Sequence, residues 1–349
     1  QQAITHAEEA DRLAPSRRPG LQAASILPWL GEALSRSNRN NEARQLMEIS
    51  RSRLEKFVAD EPFLMTARRQ LAYATSWAAV EAFEQWDFAK ATRIRDEYRA
   101  VYKEMLKLDS RNTTYINNVG LSFIGAAMTD MLQGNFAEAE QNHREAIAVL
   151  SSELATPFMK GNAAAQHAQL GLLYAATGRD TEAGEQAALM RAAMKPAMDQ
   201  MAPESREREL REEVLRHRER DIEAARLNWN AVKAQGLASM EKLERIRKNA
   251  PGQEEERLRR DTWEQLMFAA LHEGDASGAK RALLQWWPLR RSVEDNPSIS
   301  ARFRESRDQL HRMQVLFRSG EAGEARAALA NQWPEVEAIF KAAPEEAFN

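Results

Sequence analysis

The chain has 349 residues, 43% of them hydrophobic and 29% charged, which is enough apolar material for a folded protein and excludes general disorder. A net charge of −3, from 49 basic and 52 acidic side chains, provides no basic stripe of the kind that phosphate binding needs, so a nucleic-acid partner is not expected. With no cysteine, disulfides, thiolate nucleophiles and Cys-ligated zinc are all excluded, whether the compartment is oxidising or cytoplasmic.

Ala, Glu, Arg, Leu and Gln dominate, and Gly (15) and Pro (12) are scarce, so helices are expected throughout. A chain this long exceeds one ordinary core unless the core is stretched into a repeat array. No apolar run approaches the ~20 residues of a membrane span, and the residues from Gln1 onward show no signal-peptide pattern. A sequence opening on Gln is expected to have been cut or processed from a longer one.

In chain order, Ala7 to Leu13 reads either as the second helix of a hairpin whose first helix lies upstream, or as an N-terminal capping helix. A register then recurs. Leu30-Gly31 with Leu34 precedes Asn38 and Ala43, and Ala78-Ala79 with Ala82 precedes Asp87-Phe88 and Ala91. Ala126-Ala127 precedes Gly134-Asn135-Phe136 and Ala139, and His167 to Tyr174 precedes Gly178-Arg179 and Ala183. The alanines at 43, 91, 139 and 183 are 48, 48 and 44 residues apart. Helix ends keep step too, with Ala59-Asp60-Glu61-Pro62, Leu108-Asp109-Ser110 and Ala155-Thr156-Pro157 in equivalent places.

Residues 203–248 read differently. Pro203-Glu204 forms a helix start. Ile222, Ala225, Trp229, Val232, Gly236, Ser239, Leu243 and Ile246 then alternate spacings of three and four without a break near 226. Either one long helix of about 45 residues or two helices hinged at Gly236 is expected, the hinge being favoured because Gly costs ~1 kcal/mol in a helix interior. The charges from Glu204 to Glu223 read as a solvated face of i,i+4 pairs. Near the C-terminus, Gly274 to Leu283 leading to Trp287-Pro288 matches Gly320 to Leu329 leading to Trp333-Pro334, and every matched pair is 46 residues apart. Trp263-Glu-Gln-Leu266 opens the earlier copy.

The unit His167-Ala-Gln-Leu170-Gly171-Leu-Leu-Tyr174, Gly178, Ala183 resembles the tetratricopeptide (TPR) pattern W-x2-L-G-x2-Y followed by a turn and an alanine. Its residue types suit two helices at close range: Gly171 and Ala183 are small, Leu170 and Tyr174 fill the interface, and Gly178 supplies a left-handed cap. The period of 44–48 exceeds the usual ~34 and implies longer helices, as in 91–108. Long-period repeats of this kind look like the TPR sensor portions of bacterial kinases, cyclases and winged-helix regulators. The resemblance covers most of the chain except about 200–250 and implies an all-α solenoid of antiparallel hairpins, with an array of about four repeats over 1–200 and two further hairpins over 251–349, on either side of the charged helix or hairpin over 201–250.

No phosphate loop, GxGxxG, HExxH, GxSxG or EF-hand pattern is present, and the six histidines are scattered, so no catalytic, cofactor or metal residue is expected. His143 and His167 fall at core-type positions. In TPR arrays the first helices line the groove, which implies a peptide strip of Tyr73, Ser76, Val80, Phe83, Leu121, Ile124, Met128, Met131, Ala168, Leu172 and Ala175. The Lys and Asn clamp of chaperone-tail TPR proteins is absent from it. Trp286, Arg290 and Arg291 form a second candidate patch. Trp287, because it recurs as Trp333, reads as packing one hairpin on the next. The resulting expectation is a protein- or peptide-binding scaffold in a bacterial signalling or assembly protein; the alternative is an oligomeriser, a homodimer pairing through the 203–248 seam.

Overall fold

The computed structural model describes residues 18–36, 39–61, 63–249, 251–290 and 298–343. The opening segment 1–13, Asn38, Pro62 and Arg291 lie outside the described residues. The protein is all-α: the described residues form 14 helices and a short 3-10 turn, with no strand. None of these helices is long and apolar enough to cross a membrane. Helix packing divides the chain into two units, Gln1–Gly134 with Ala343–Asn349, and Asn135–Ala342. The sequence boundaries near 200 and 250 both fall inside the second unit.

The first unit holds α1 (Arg18–Arg36), α2 (Asn40–Asp60), α3 (Met65–Glu84), α4 (Phe88–Leu108) and α5 (Thr113–Leu132). Each packs on the next; α4 does so through an apolar stripe at helical spacing, whereas α3 buries the small side chains of Ala67, Ala72, Ala74, Ala79 and Ala82. In α4 the stripe is Phe88, Ala91, Ile94, Tyr98, Tyr102 and Met105, all buried. The 21 unbroken residues of α4 account for the long period. At the α1/α2 crossing, a Cβ on Gly31 would lie 2.7 Å from Met47 Cε and 3.3 Å from the Ala43 carbonyl oxygen, so any larger residue would require Met47 to move aside.

The second unit holds α6 (Phe136–Leu150), α7 (Pro157–Ala176), α8 (Asp180–Asp199), α9 (Arg206–Ala225), α10 (Trp229–Asn249), α11 (Gln253–His272), α12 (Ala276–Trp286), α13 (Ile299–Arg318) and α14 (Ala322–Ala342). Thr156 caps α7 and Pro157 is its first residue, so that corner opens a helix; α6 has already ended at Leu150. Gly171 meets Ile222, Gln186 and Ala183 within 3.4 Å of where its Cβ would stand, and Leu170, Tyr174 and Ala183 are buried around it. Glu140 ties α6 to α7: its carboxylate accepts from the Tyr174 hydroxyl at 3.0 Å, Arg144 at 2.7 Å and Arg179 at 2.6 Å. Burial alone would raise this carboxyl, but those donors outweigh it and hold it below the usual carboxylate range.

One corner recurs through both units. Trp86, Gly134, Gly178, Leu227, Gly274 and Gly320 all have φ between 60° and 87°, in the left-handed region. After five of them, the next N–H donates to the carbonyl five residues back: Asp87 to Ala82, Arg179 to Tyr174, Asn228 to Glu223, Asp275 to Ala270 and Glu321 to Leu316, at 2.8–2.9 Å. This is the Schellman closure of a helix C-terminus.

Leu227 corrects the reading of 203–248. The segment is a helical hairpin that turns at 226–228, not one long helix, and Gly236 is no hinge. Gly236 lies inside α10, where a Cβ would stand 2.9 Å from Leu266 Cδ2; it is glycine so that α11 can come close. The start also moves: Ser205, not Pro203-Glu204, caps α9 by accepting from the Arg208 N–H. Ile222, Val232, Gly236, Ser239, Leu243 and Ile246 are buried within the unit, so the seam expected to pair two chains is already occupied by this one.

Candidate functional site

The expected groove residues separate in the structure. In the first unit, Val80, Leu121 and Met128 are exposed, and Tyr73, Ser76, Phe83, Ile124 and Met131 are half-buried. Phe83 is an internal packing residue, edge-on to Phe88 at 5.8 Å with the Arg95 guanidinium 5.6 Å from its ring. The Ser76 hydroxyl donates to the Tyr73 carbonyl and so stays within its own helix. In the second unit Ala168 is core, packed with Ala164, Met190, Met194 and Leu215, and Ala175 is buried too; only Leu172 is partly open. Ala168 and Ala175 therefore do not line a groove.

The open apolar surface of the first unit instead joins α1 to α3. Trp29 stacks on Tyr73 with ring centroids 5.2 Å apart, and Ile26, three residues before Trp29, shares its face. Both are mainly solvent-exposed, at 61% for Ile26 and 59% for Trp29. They line a pocket of about 1040 Å³ with Leu21, Ser25, Leu64 and Gln70. Val80, two turns after Tyr73, continues the stripe along α3, and Leu121 and Met128 form an equivalent pair on α5. Such concentrations of large exposed apolar side chains are uncommon away from binding surfaces.

Of the second candidate patch, Trp286 and Arg290 do not form an exposed surface. Trp286 is only 1% exposed and belongs to the core around Leu266, Met267 and Leu283. Arg290 lies 4.1 Å from the Trp287 ring centroid and donates to Glu305 at 2.8 Å. Trp287 packs against the same core, whereas Trp333 is 52% exposed, its indole N–H donating to Glu337. The two recurring tryptophans therefore do not share a role.

Polar groups missed in the sequence lie deep in the second unit. The solvated face read into α9 turns inward at Glu213, His217 and Arg220, all buried. Arg220 donates to Gln265 Oε1 at 2.8 Å, Ser239 Oγ at 2.6 Å and Thr262 Oγ1 at 3.0 Å. Burial pushes its guanidinium down to about 10. Neutral partners from α10 and α11 satisfy this cation, and Gln265 passes the contact on to Asp221 at 2.7 Å.

A polar pocket of about 250 Å³ opens between α11 and α13, lined among others by Arg260, Glu264, Trp286, Arg290, Arg307 and Asp308. Burial raises the Glu264 and Asp308 carboxyls and, with Arg307 nearby, lowers His311 to about 4. The other described histidines have packing roles. His143 is buried against Gln166 at 2.8 Å, His167 meets Gln186 at 2.7 Å, and His272 stacks on Trp229 at 4.2 Å.

No family model matches the sequence, and no curated protein matches it. Function is therefore argued from these surfaces alone.

Proposed function

We propose that the protein is a non-catalytic scaffold of long-period TPR type whose α1/α3 face binds an apolar peptide or helical segment of a partner protein. The observation that carries this reading is the Ile26–Trp29–Tyr73 surface and its adjoining pocket, an aromatic shelf beside a concavity of peptide-anchor size. Gln22, Ser25, Thr66 and Gln70 at the pocket offer hydrogen-bonding groups to a backbone, and the charged side chain in the lining, Glu61, is acidic. This differs from the carboxylate clamp of chaperone-tail TPR proteins and favours internal segments over free C-termini. The recurring left-handed corners and small residues at helix crossings support the repeat reading.

A displayed library of short random peptides, selected on the immobilised chain, tests the proposal. Enriched peptides should carry apolar anchors at i, i+3 or i+4, and i+7, and should lose binding to the Ile26→Asp/Trp29→Asp chain while its melting temperature stays within a few degrees of the parent. Failure to enrich such peptides, or capture undiminished by the double substitution, refutes it.

A further inference from the structure

We propose that Glu264, Asp308 and His311 form a binding site for one divalent transition-metal ion of the zinc type. Glu264 projects from α11; Asp308 and His311, three residues apart, lie one turn from each other on α13. One potential ligand atom from each lies within 4.8 Å of the other two. His311 Nδ1 stands 3.9 Å from Glu264 Oε1, beyond hydrogen-bond range, yet within the span of two ligands on a common ion after a small rotamer adjustment. Metal sites in helical folds are commonly assembled this way, from acidic and i,i+3 histidine side chains on facing helices.

Two further observations separate this group from a chance collection of acids. His311 Nδ1 is a buried nitrogen with no hydrogen-bond partner, an uncommon state that calls for a cause. Its ring is held in place, edge-on to Phe268 at 4.6 Å and 87°, so the nitrogen stays presented to the carboxylates. Arg307 pairs directly with the two carboxylates, 3.4 Å from Glu264 and 3.1 Å from Asp308, while Arg260, Arg290 and Arg304 also line the pocket. The Arg307 side chain is substantially exposed, so it is free to swing to solvent when an ion takes its place.

The donor set selects the class of ion. One imidazole nitrogen with two carboxylate oxygens suits Zn²⁺, whereas Mg²⁺ prefers an all-oxygen octahedron. Three protein ligands leave a fourth position for water. The site lies wholly in the second unit and does not depend on the peptide-binding reading of the first.

The test is isothermal titration of the full, tag-free chain with ZnCl2 and, separately, MgCl2. One Zn²⁺ per chain and no detectable Mg²⁺ is expected, with affinity for Zn²⁺ at least about tenfold weaker in His311→Ala and in Glu264→Gln. His143→Gln, a buried histidine elsewhere, should titrate like the parent. If a variant fails to fold, the Co²⁺-loaded parent decides: its visible absorption should report tetrahedral nitrogen–oxygen ligation, and its X-ray absorption a single imidazole. Absence of Zn²⁺ binding by the parent overturns the proposal. So does undiminished binding by folded His311→Ala and Glu264→Gln chains, or a cobalt site without imidazole.

Discussion

Leu227→Gly should stabilise the protein. Leu227 adopts φ 60°, and its side chain is 70% exposed, so removing the side chain forfeits little burial. For an L-residue the left-handed conformation costs about 1–2 kcal/mol, a penalty glycine does not carry. Glycine loses more freedom on folding, which returns about 0.5–1 kcal/mol. The balance is a gain of about 0.5–1 kcal/mol, or roughly 1–4 °C in melting temperature for a unit of this size. Leu237→Gly is the matched control. Leu237 is 49% exposed but sits inside α10, where glycine costs about 1 kcal/mol. Urea unfolding followed by circular dichroism should therefore move the two midpoints in opposite directions. Equal losses would mean that Leu227 is helical and that 203–248 runs as one continuous helix, refuting the corner.

Two more substitutions and a pH dependence follow from the packing. Ala183→Trp should overpack the fully buried crossing beside Gly171 and cost ~1–3 kcal/mol, while Glu182→Ala on the exposed side should cost under ~0.5 kcal/mol; similar small losses in denaturant midpoint would mean the repeat register is wrong. Gly236→Val should also destabilise by ~1–3 kcal/mol, since Leu266 occupies the space a side chain needs; a gain in midpoint would restore Gly236 as a strained hinge. Burial lowers His143, so below its ordinary pKa of about 6.5 the unfolded chain binds more protons than the folded one. Its contribution is present above that pH and is lost as pH falls toward the depressed value. Melting temperature should decline on acidification from pH 7 to 5, less steeply in His143→Gln; identical slopes would refute the assignment.

Much of the fold was legible because its signals are local or periodic. Ala43, Ala91, Ala139, Ala183, Ala279 and Ala325 recur at helix crossings and are all buried, and Gly134, Gly178, Gly274 and Gly320 announce their corners. Leu227 gave no such signal, since leucine has no preference for the left-handed region, and the buried positions on either side happened to keep heptad spacing. Asn228 was the available cue. Its side chain accepts from the Ala231 N–H as Asp87 does from Lys90 and Asp275 from Gly278. The Arg220 network was hidden for a different reason: its partners lie 19, 42 and 45 residues away, and nothing in a charged helix marks which arginine turns inward. Ala168 misled because alanine serves a groove wall and a tight crossing equally well. Trp29 lies outside the strip that the repeat register defines, which begins at Tyr73 on α3, whereas the tryptophan that stacks on it is on α1.

The glycine corners bear on how this protein tolerates new sequence. At Gly134, Gly178, Gly274 and Gly320 a Cβ would meet nothing within 4 Å, although beside three of them Arg179, Glu273 and Glu321 pair with Glu140, Lys233 and Lys280 of the preceding hairpin. A strained, closely packed turn would resist lengthening. Here the closure is made by backbone bonds within the preceding helix, and the loop adds only a slowly growing entropy as it lengthens, about 0.6 kcal/mol per doubling. Foreign peptides, tags or whole domains are therefore best grafted at the glycines themselves, where each hairpin keeps its own crossing and the flanking ion pairs to the preceding hairpin are left in place.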